Sequence, residues 1–123
     1  MVFYCRWKSL LSENTPVGRT HASMTPIQTG KEEGGLLIYG GASYDGNFAV
    51  LGDCWRIDLE QQPRSWVQCP HFKLGPRYNH VSVALDSQVL MIGGNNNITN
   101  FAEHVSSESL VCIMFHCGVR TCF

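Results

Sequence analysis

The chain has 123 residues and a mass of 13.7 kDa, with 44% hydrophobic residues, 15% charged residues and 12 glycines. Nine basic against ten acidic side chains leave a net charge of −1, so the basic surplus that phosphate contacts require is missing and nucleic acid is not an expected partner. A composition this apolar argues against disorder, and no stretch approaches the roughly 20 apolar residues that span a bilayer.

Met1-Val2-Phe3-Tyr4-Cys5-Arg6 lacks the basic start and apolar run of a signal peptide. The expectation is a soluble, glycine-punctuated β protein, cytoplasmic or nuclear, with no membrane partner. Residues 3–10, which include Trp7, read as one short strand. The turn Pro16-Val17-Gly18-Arg19-Thr20-His21 leads into residues 20–27, which alternate loosely in polarity. Pro26 suits such a strand only where one edge is unpaired. Leu36-Leu37-Ile38-Tyr39 is a continuous apolar run, as expected of a strand covered on both faces. It stops at Gly40-Gly41, where glycine permits φ > 0 and close approach of a neighbour. Asp45-Gly46 supplies a turn, residues 54–59 a third strand, and residues 65–69, with Trp66, a fourth. Gly75-Pro76-Arg77-Tyr78-Asn79-His80 then restarts the order: residues 81–85 alternate well, and Val89-Leu90-Met91-Ile92 stops at Gly93-Gly94. No segment has helical periodicity of useful length. Asn95-Asn96-Asn97 reads as a polar turn, and Asn97-Ile98-Thr99 matches the glycosylation acceptor pattern by coincidence, since no secretion signal accompanies it.

These marks amount to an internal repeat. Arg19 to Arg77 is 58 positions, Gly40 to Gly93 is 53, and Trp7 to Trp66 is 59, the shorter spacing reflecting an extra loop at 28–35 in the first copy. Four antiparallel strands in roughly 50 residues match one blade of a β-propeller.

The residues that carry the pattern are the Pro-x-Gly-Arg at 16–19, Pro76-Arg77-x-x-His80, both Gly-Gly doublets, and Asp53-x-Trp55-x-x-Asp58 followed by Trp66. Together they resemble the kelch repeat, over residues 5–95. The resemblance implies an all-β partial kelch β-propeller spanning residues 1–97. Within it, 3–10 is the last strand of a preceding blade, 15–69 one complete blade, and 73–94 the first strands of the next. Residues 98–123 form a divergent Cys-containing tail in which only 110–115 suggests a further strand. Propellers close with four to eight blades, so the chain is expected to be a fragment or a truncated isoform.

More narrowly, Thr15-Pro16-Val17-Gly18-Arg19-Thr20 through Met24-Thr25-Pro26-Ile27 resembles the last blades of kelch-domain substrate receptors of cullin–RING ubiquitin ligases. Those receptors grip the free C-terminus of their substrates, often one ending in glycine. The implied function is a protein-interaction module, the substrate-recognition part of such a ligase, with a peptide C-terminus and a ligase adaptor as partners. Two alternatives stay open: a generic kelch scaffold meeting another protein surface, and part of a kelch-fold enzyme whose active residues lie elsewhere. Within this chain there is no Ser-His-Asp arrangement in motif context, no phosphate-cradling glycine loop leading into a helix and no His-rich metal motif. No catalytic residue and no cofactor is expected.

In a propeller the turn into each innermost strand opens on one face, which puts Arg19, Thr20, Arg77, Tyr78 and Asn79 near a ligand-binding mouth. Arginine grips carboxylates bidentately through its planar fork. The competing reading is that both arginines are structural, held by an acid or by loop carbonyls. In the C-terminus-reading receptors a serine directly after this arginine contacts the terminal carboxylate, and a tryptophan beside it packs on the peptide. Carried over, these positions are Thr20 and His21, and the histidine expected next is Ala22. The other arginines that complete such a pocket belong to earlier blades. The candidate ligand-binding set is therefore Arg19, Thr20, His21, Arg77 and Tyr78. Trp55 and Trp66 read as packing groups, and His80 as a structural hydrogen-bonding residue.

Six cysteines remain: Cys5, Cys54, Cys69, Cys112, Cys117 and Cys122. Cys54 and Cys69 fall in strand-like segments and read as small buried thiols. Cys112, His116, Cys117 and Cys122 crowd together, but their spacing does not match the close ligand pairs of a zinc site, so no metal is expected.

Overall fold

The computed structural model describes residues 1–7, 14–28, 34–69, 74–85 and 88–96, together with the backbone of two strands, Ile113–Gly118 and Thr121–Cys122. Among these residues the chain is all β, with no helix and no sheet closed on itself.

In chain order the strands are β1 (Arg19–Thr20), β2 (Ser23–Ile27), β3 (Gly35–Tyr39), β4 (Ala42–Ser43), β5 (Cys54–Asp58) and β6 (Trp66–Gln68), followed by β7 (Val81–Leu85), β8 (Gln88–Ile92), β9 (Ile113–Gly118) and β10 (Thr121–Cys122). One antiparallel sheet runs β2-β3-β5-β6 and a second β7-β8-β9-β10, while β1 and β4 form a separate two-stranded ladder. The segment expected as one strand over 20–27 is thus broken in two. His21 takes a left-handed conformation (φ 56°), which turns the chain out of one ladder and into the next. Pro26 sits in β2, an edge strand, where a residue without an N–H is tolerated.

The repeat is a repeat of register. Advancing β2 by 58 positions and β3 by 53 carries the pair Ser23–Tyr39 onto Val81–Ile92. Advancing β3 by 53 and β5 by 58 carries Ile38–Trp55 onto Met91–Ile113. The ladder pair Thr20–Ala42 returns as the isolated bridge Tyr78–Asn95. Backbone conformation follows suit: Asn79 repeats the φ of His21, and Gly93-Gly94 repeats the positive φ of Gly40-Gly41.

Two expectations differ from what is observed. Residues 1–7 carry no strand and their side chains are exposed, Trp7 included, while 8–10 lie outside the described residues. An extended segment is held by ladder hydrogen bonds from a neighbour, and none pairs with it among the described residues. The tail, for its part, adds two strands to the second sheet rather than one: β9 covers 113–115 of the expected strand and continues to Gly118, and β10 pairs with it, while 110–112 lie outside the described residues. Pairing with β8 needs backbone groups and β-favouring residues, and Ile113, Met114 and Phe115 provide these without the aspartates and tryptophan of the first sheet.

The core lies between the two sheets. Ile27, Leu37, Tyr39 and Cys54 of the first pack with Val89 and Met91 of the second, joined by Cys69; burying each large apolar side chain contributes about 1.5–3 kcal/mol. Trp55 is also buried. Edge strands β2 and β7 meet side by side: Ser23 Oγ lies 2.6 Å from His80 Nε2, and the Thr25 and Ser82 hydroxyls share a hydrogen bond. Backbone bonds stitch the seam further, Gly41 N–H donating to Arg77 O at 2.8 Å and Arg77 N–H to Leu51 O at 3.1 Å. The Tyr39 hydroxyl donates to the Gly75 carbonyl.

Beyond this seam the sheets differ. In the first, Leu37, Ile38 and Tyr39 of β3 are buried and Leu36 is half-buried; in the second, Val89 and Met91 of β8 are buried, while Leu90 and Ile92 on the opposite face are both half-buried.

Candidate functional site

Arg19 leaves the turn before β1 and is committed inward. Its Nη1 and Nη2 donate to the two Asp53 carboxylate oxygens at 2.6 and 2.8 Å, Nη1 also reaches Gly40 O at 3.0 Å, and Nε donates to Val17 O at 3.1 Å. Its side chain is 7% exposed. Trp55 Nε1 donates to the same carboxylate at 2.5 Å. Burial raises the Asp53 pKa, but the hydrogen bonds from Arg19 and Trp55 outweigh it and hold the carboxyl below its ordinary range. Asp53-x-Trp55 is therefore one half of a bracket whose other half is Arg19.

Arg77 repeats the arrangement with carbonyls. Nη1 donates to Gly93 O at 3.3 Å, the counterpart of Gly40 O, and Nη2 to Leu74 O at 2.7 Å. The residue is 2% exposed. Both arginines thus hold an acid or loop carbonyls, and neither guanidinium fork is displayed to solvent.

The other three candidates form an accessible rim above them. Thr20 and Tyr78 are half-buried and His21 is exposed. Thr20 Oγ1 lies 2.7 Å from His21 Nδ1, the His21 ring meets the Tyr78 ring edge-on with centroids 6.3 Å apart, and Asn79 N–H donates to His21 O at 3.1 Å. The left-handed conformations of His21 and Asn79 turn the chain at equivalent points of the two copies, which brings Thr20, His21 and Tyr78 together. Beside the rim, Arg19, His21, Ala22, Ser23, Met24 and Ile38 line an open cleft of about 280 Å³.

His80 sits behind the rim at the seam. Burial, with the positive charge of Arg77 as the lesser cause, pushes its pKa down to about 4. The neutral ring bonds Ser23 through Nε2, buries Nδ1 without a hydrogen-bond partner and meets the Tyr39 ring edge-on at 5.3 Å. Tyr39 is pushed up to about 12, chiefly by its own burial.

Sequence reasoning did not identify four of these contacts. Which acid answers Arg19 is not readable, because 34 positions separate it from Asp53. Ser23 and Thr25 did carry a signal: polar residues at alternate strand positions, each 57 residues before its partner His80 or Ser82. The link from Tyr39 to Gly75 left no mark that could be read. Cys54 and Cys69 are buried; Cys117 and Cys122 are opposed in the β9–β10 ladder, and Cys112 lies outside the described residues. Among the described residues no cluster of three or more His, Cys, Asp or Glu could hold a metal ion. No protein-family model matches the chain.

Proposed function

We propose that the chain is a segment of a kelch-type β-propeller that serves as a protein-interaction module, and that its ligand is the C-terminal end of another protein, met at the Thr20–His21–Tyr78 rim. On this reading it belongs to the substrate-recognition part of a cullin–RING ubiquitin ligase. The propeller reading is supported by two four-stranded antiparallel sheets of one register, stacked so that the second covers the first. The observation that carries the site is the grouping of an exposed imidazole with a half-buried hydroxyl and a half-buried phenol at adjoining repeat positions. Because Arg19 and Arg77 are spent inside the fold, the contribution of this segment to carboxylate recognition falls to the Thr20 hydroxyl and the His21 ring N–H, each donating a hydrogen bond to the carboxylate.

That same inward commitment of the arginines favours a second reading, a scaffold that meets an internal surface of its partner. A fluorescent ten-residue peptide ending in glycine, compared as free acid and as C-terminal amide by anisotropy, separates the two. The receptor reading expects amidation to weaken binding at least about tenfold, the cost of roughly one charge-assisted hydrogen bond. It also expects Thr20→Ala to narrow that difference. Equal binding of acid and amide favours the scaffold and removes the C-terminus from the proposal.

A further inference from the structure

The seam between the two sheets has a counterpart that is left open. In the first sheet Ser23, Thr25 and Ile27 lie buried beneath the second. Advanced by 58 positions they become Val81, Val83 and Leu85, on the same face of the second sheet, and there they are 59%, 42% and 47% exposed. Gly40 makes the same point in the backbone. A Cβ added to it would strike the Arg77 carbonyl oxygen and lie 3.1 Å from the His80 ring, whereas one added to Gly93 would meet nothing within 4 Å.

The opposite partner of such a seam is also present. His80 and Ser82, which cover Ser23 and Thr25, correspond to Ala22 and Met24 of the first copy. Met24 is exposed, and Ala22 and Met24 line the open cleft beside β2. Placed together, the internal polar pairs Ser23–His80 and Thr25–Ser82 become Val81–Ala22 and Val83–Met24. Both members of both pairs have turned apolar together. Val81 and Val83 offer no hydrogen bond to a histidine or serine, and Ala22 and Met24 require none. An apolar face of this kind, matched by an apolar edge and shaped by a seam already present in the chain, specifies its occupant.

We propose that the chain associates head to tail with a second copy of itself, the Val81–Val83–Leu85 face of one seating against the Ala22–Met24 edge of the next and repeating the seam between its own two sheets. The contact is heterologous, so an open assembly always keeps one free face at one end and one free edge at the other, and growth ends only where a ring closes.

Light scattering behind size exclusion of the full chain tests this. The wild type is expected at a multiple of 13.7 kDa, and Val83→Asp and Met24→Asp each at the monomer mass. Both positions are exposed, and an unchanged far-ultraviolet β spectrum checks that the fold is intact. An equimolar mixture of the two variants retains one undamaged seam and is expected to form a dimer and nothing larger. A wild type that stays monomeric at about 100 μM, a concentration at which even a weak interface of about −6 kcal/mol is well populated, overturns the proposal. So does assembly that survives either substitution, or a variant mixture that does not pair. Peptide binding at the Thr20–His21–Tyr78 rim is a separate measurement on separate residues, and neither outcome depends on the other.

Discussion

The two four-stranded sheets share their register but not their surroundings. Ser23–Tyr39 and Val81–Ile92 pair in the same way, yet the first pair lies in the core and the second faces outward. Register is therefore set by features each copy carries for itself: the left-handed turn residue, the glycine pair and the apolar run that ends on it. Burial depends on what lies alongside. The arginines make the same distinction. Arg19 and Arg77 both take up a repeated glycine carbonyl, but Asp53, which answers Arg19, falls at Val111 in the second copy.

Removing the acid is the largest way to break this comparison. Asp53→Ala strips Arg19 of both carboxylate bonds and Trp55 of its acceptor, leaving a nearly buried cation. Breaking one partner of a buried pair costs about 3–5 kcal/mol; with Asp53 partly exposed, a loss near the lower end is expected in urea unfolding followed by tryptophan fluorescence. Asp53→Asn, which keeps the shape and an acceptor, should cost less. A loss below about 1 kcal/mol would place the pair among ordinary surface ion pairs and remove the bracket as the device that distinguishes the first copy.

How far the fold could be read from the chain follows the same division. Copy-internal features were legible: the Gly-Gly stops, the alternation of 81–85 and the strand at 54–59 all fall where the β ladders run. Contacts between copies were not. Nothing in Leu36-Leu37-Ile38-Tyr39 against Val89-Leu90-Met91-Ile92 says that three residues in a row are buried in the first run and only the alternate Val89 and Met91 in the second, since both are equally apolar. At the candidate site the arginine positions were legible, but their direction was not. A buried arginine and a ligand-gripping one carry the same side chain, and only the location of Asp53 and the glycine carbonyls decides between them.

A pH series sharpens the comparison at the seam. Folded His80 titrates at about 4, below its ordinary 6.5, so the unfolded chain takes up the proton first as pH falls. His80 therefore contributes its full stabilisation above pH 6.5 and loses it progressively down to about pH 4. The loss is about 3 kcal/mol, from about 1.4 kcal/mol for each pH unit between the two values. Asp53, held below its ordinary 3.8, adds its own loss only at lower pH. His80→Phe should flatten unfolding free energy between pH 6.5 and 4, while Ser23→Ala should leave most of the slope. Position 22 of the first copy, an alanine, contributes no such dependence. A slope that persists in His80→Phe would assign the titration to another group.

The smallest effect is a difference between two glycines. Alanine at Gly40 or at Gly93 must adopt a left-handed φ, 62° or 71°, which costs about 1–2 kcal/mol at either site. Only at Gly40 does the new Cβ also strike a backbone carbonyl, that of Arg77, which cannot swing aside like a flexible side chain. Overpacking of this kind adds about 1–3 kcal/mol, so Gly40→Ala should destabilise the monomer by about 2 kcal/mol more than Gly93→Ala, measured as urea midpoints in the Val83→Asp background. In the wild-type chain at high concentration the second seam covers Gly93 as the first covers Gly40. Gly93→Ala should then weaken assembly while Gly40→Ala weakens folding. Equal midpoints for the two variants in the monomer would mean that the second copy does not press on the first at Gly40, and the template for head-to-tail association would be lost with it.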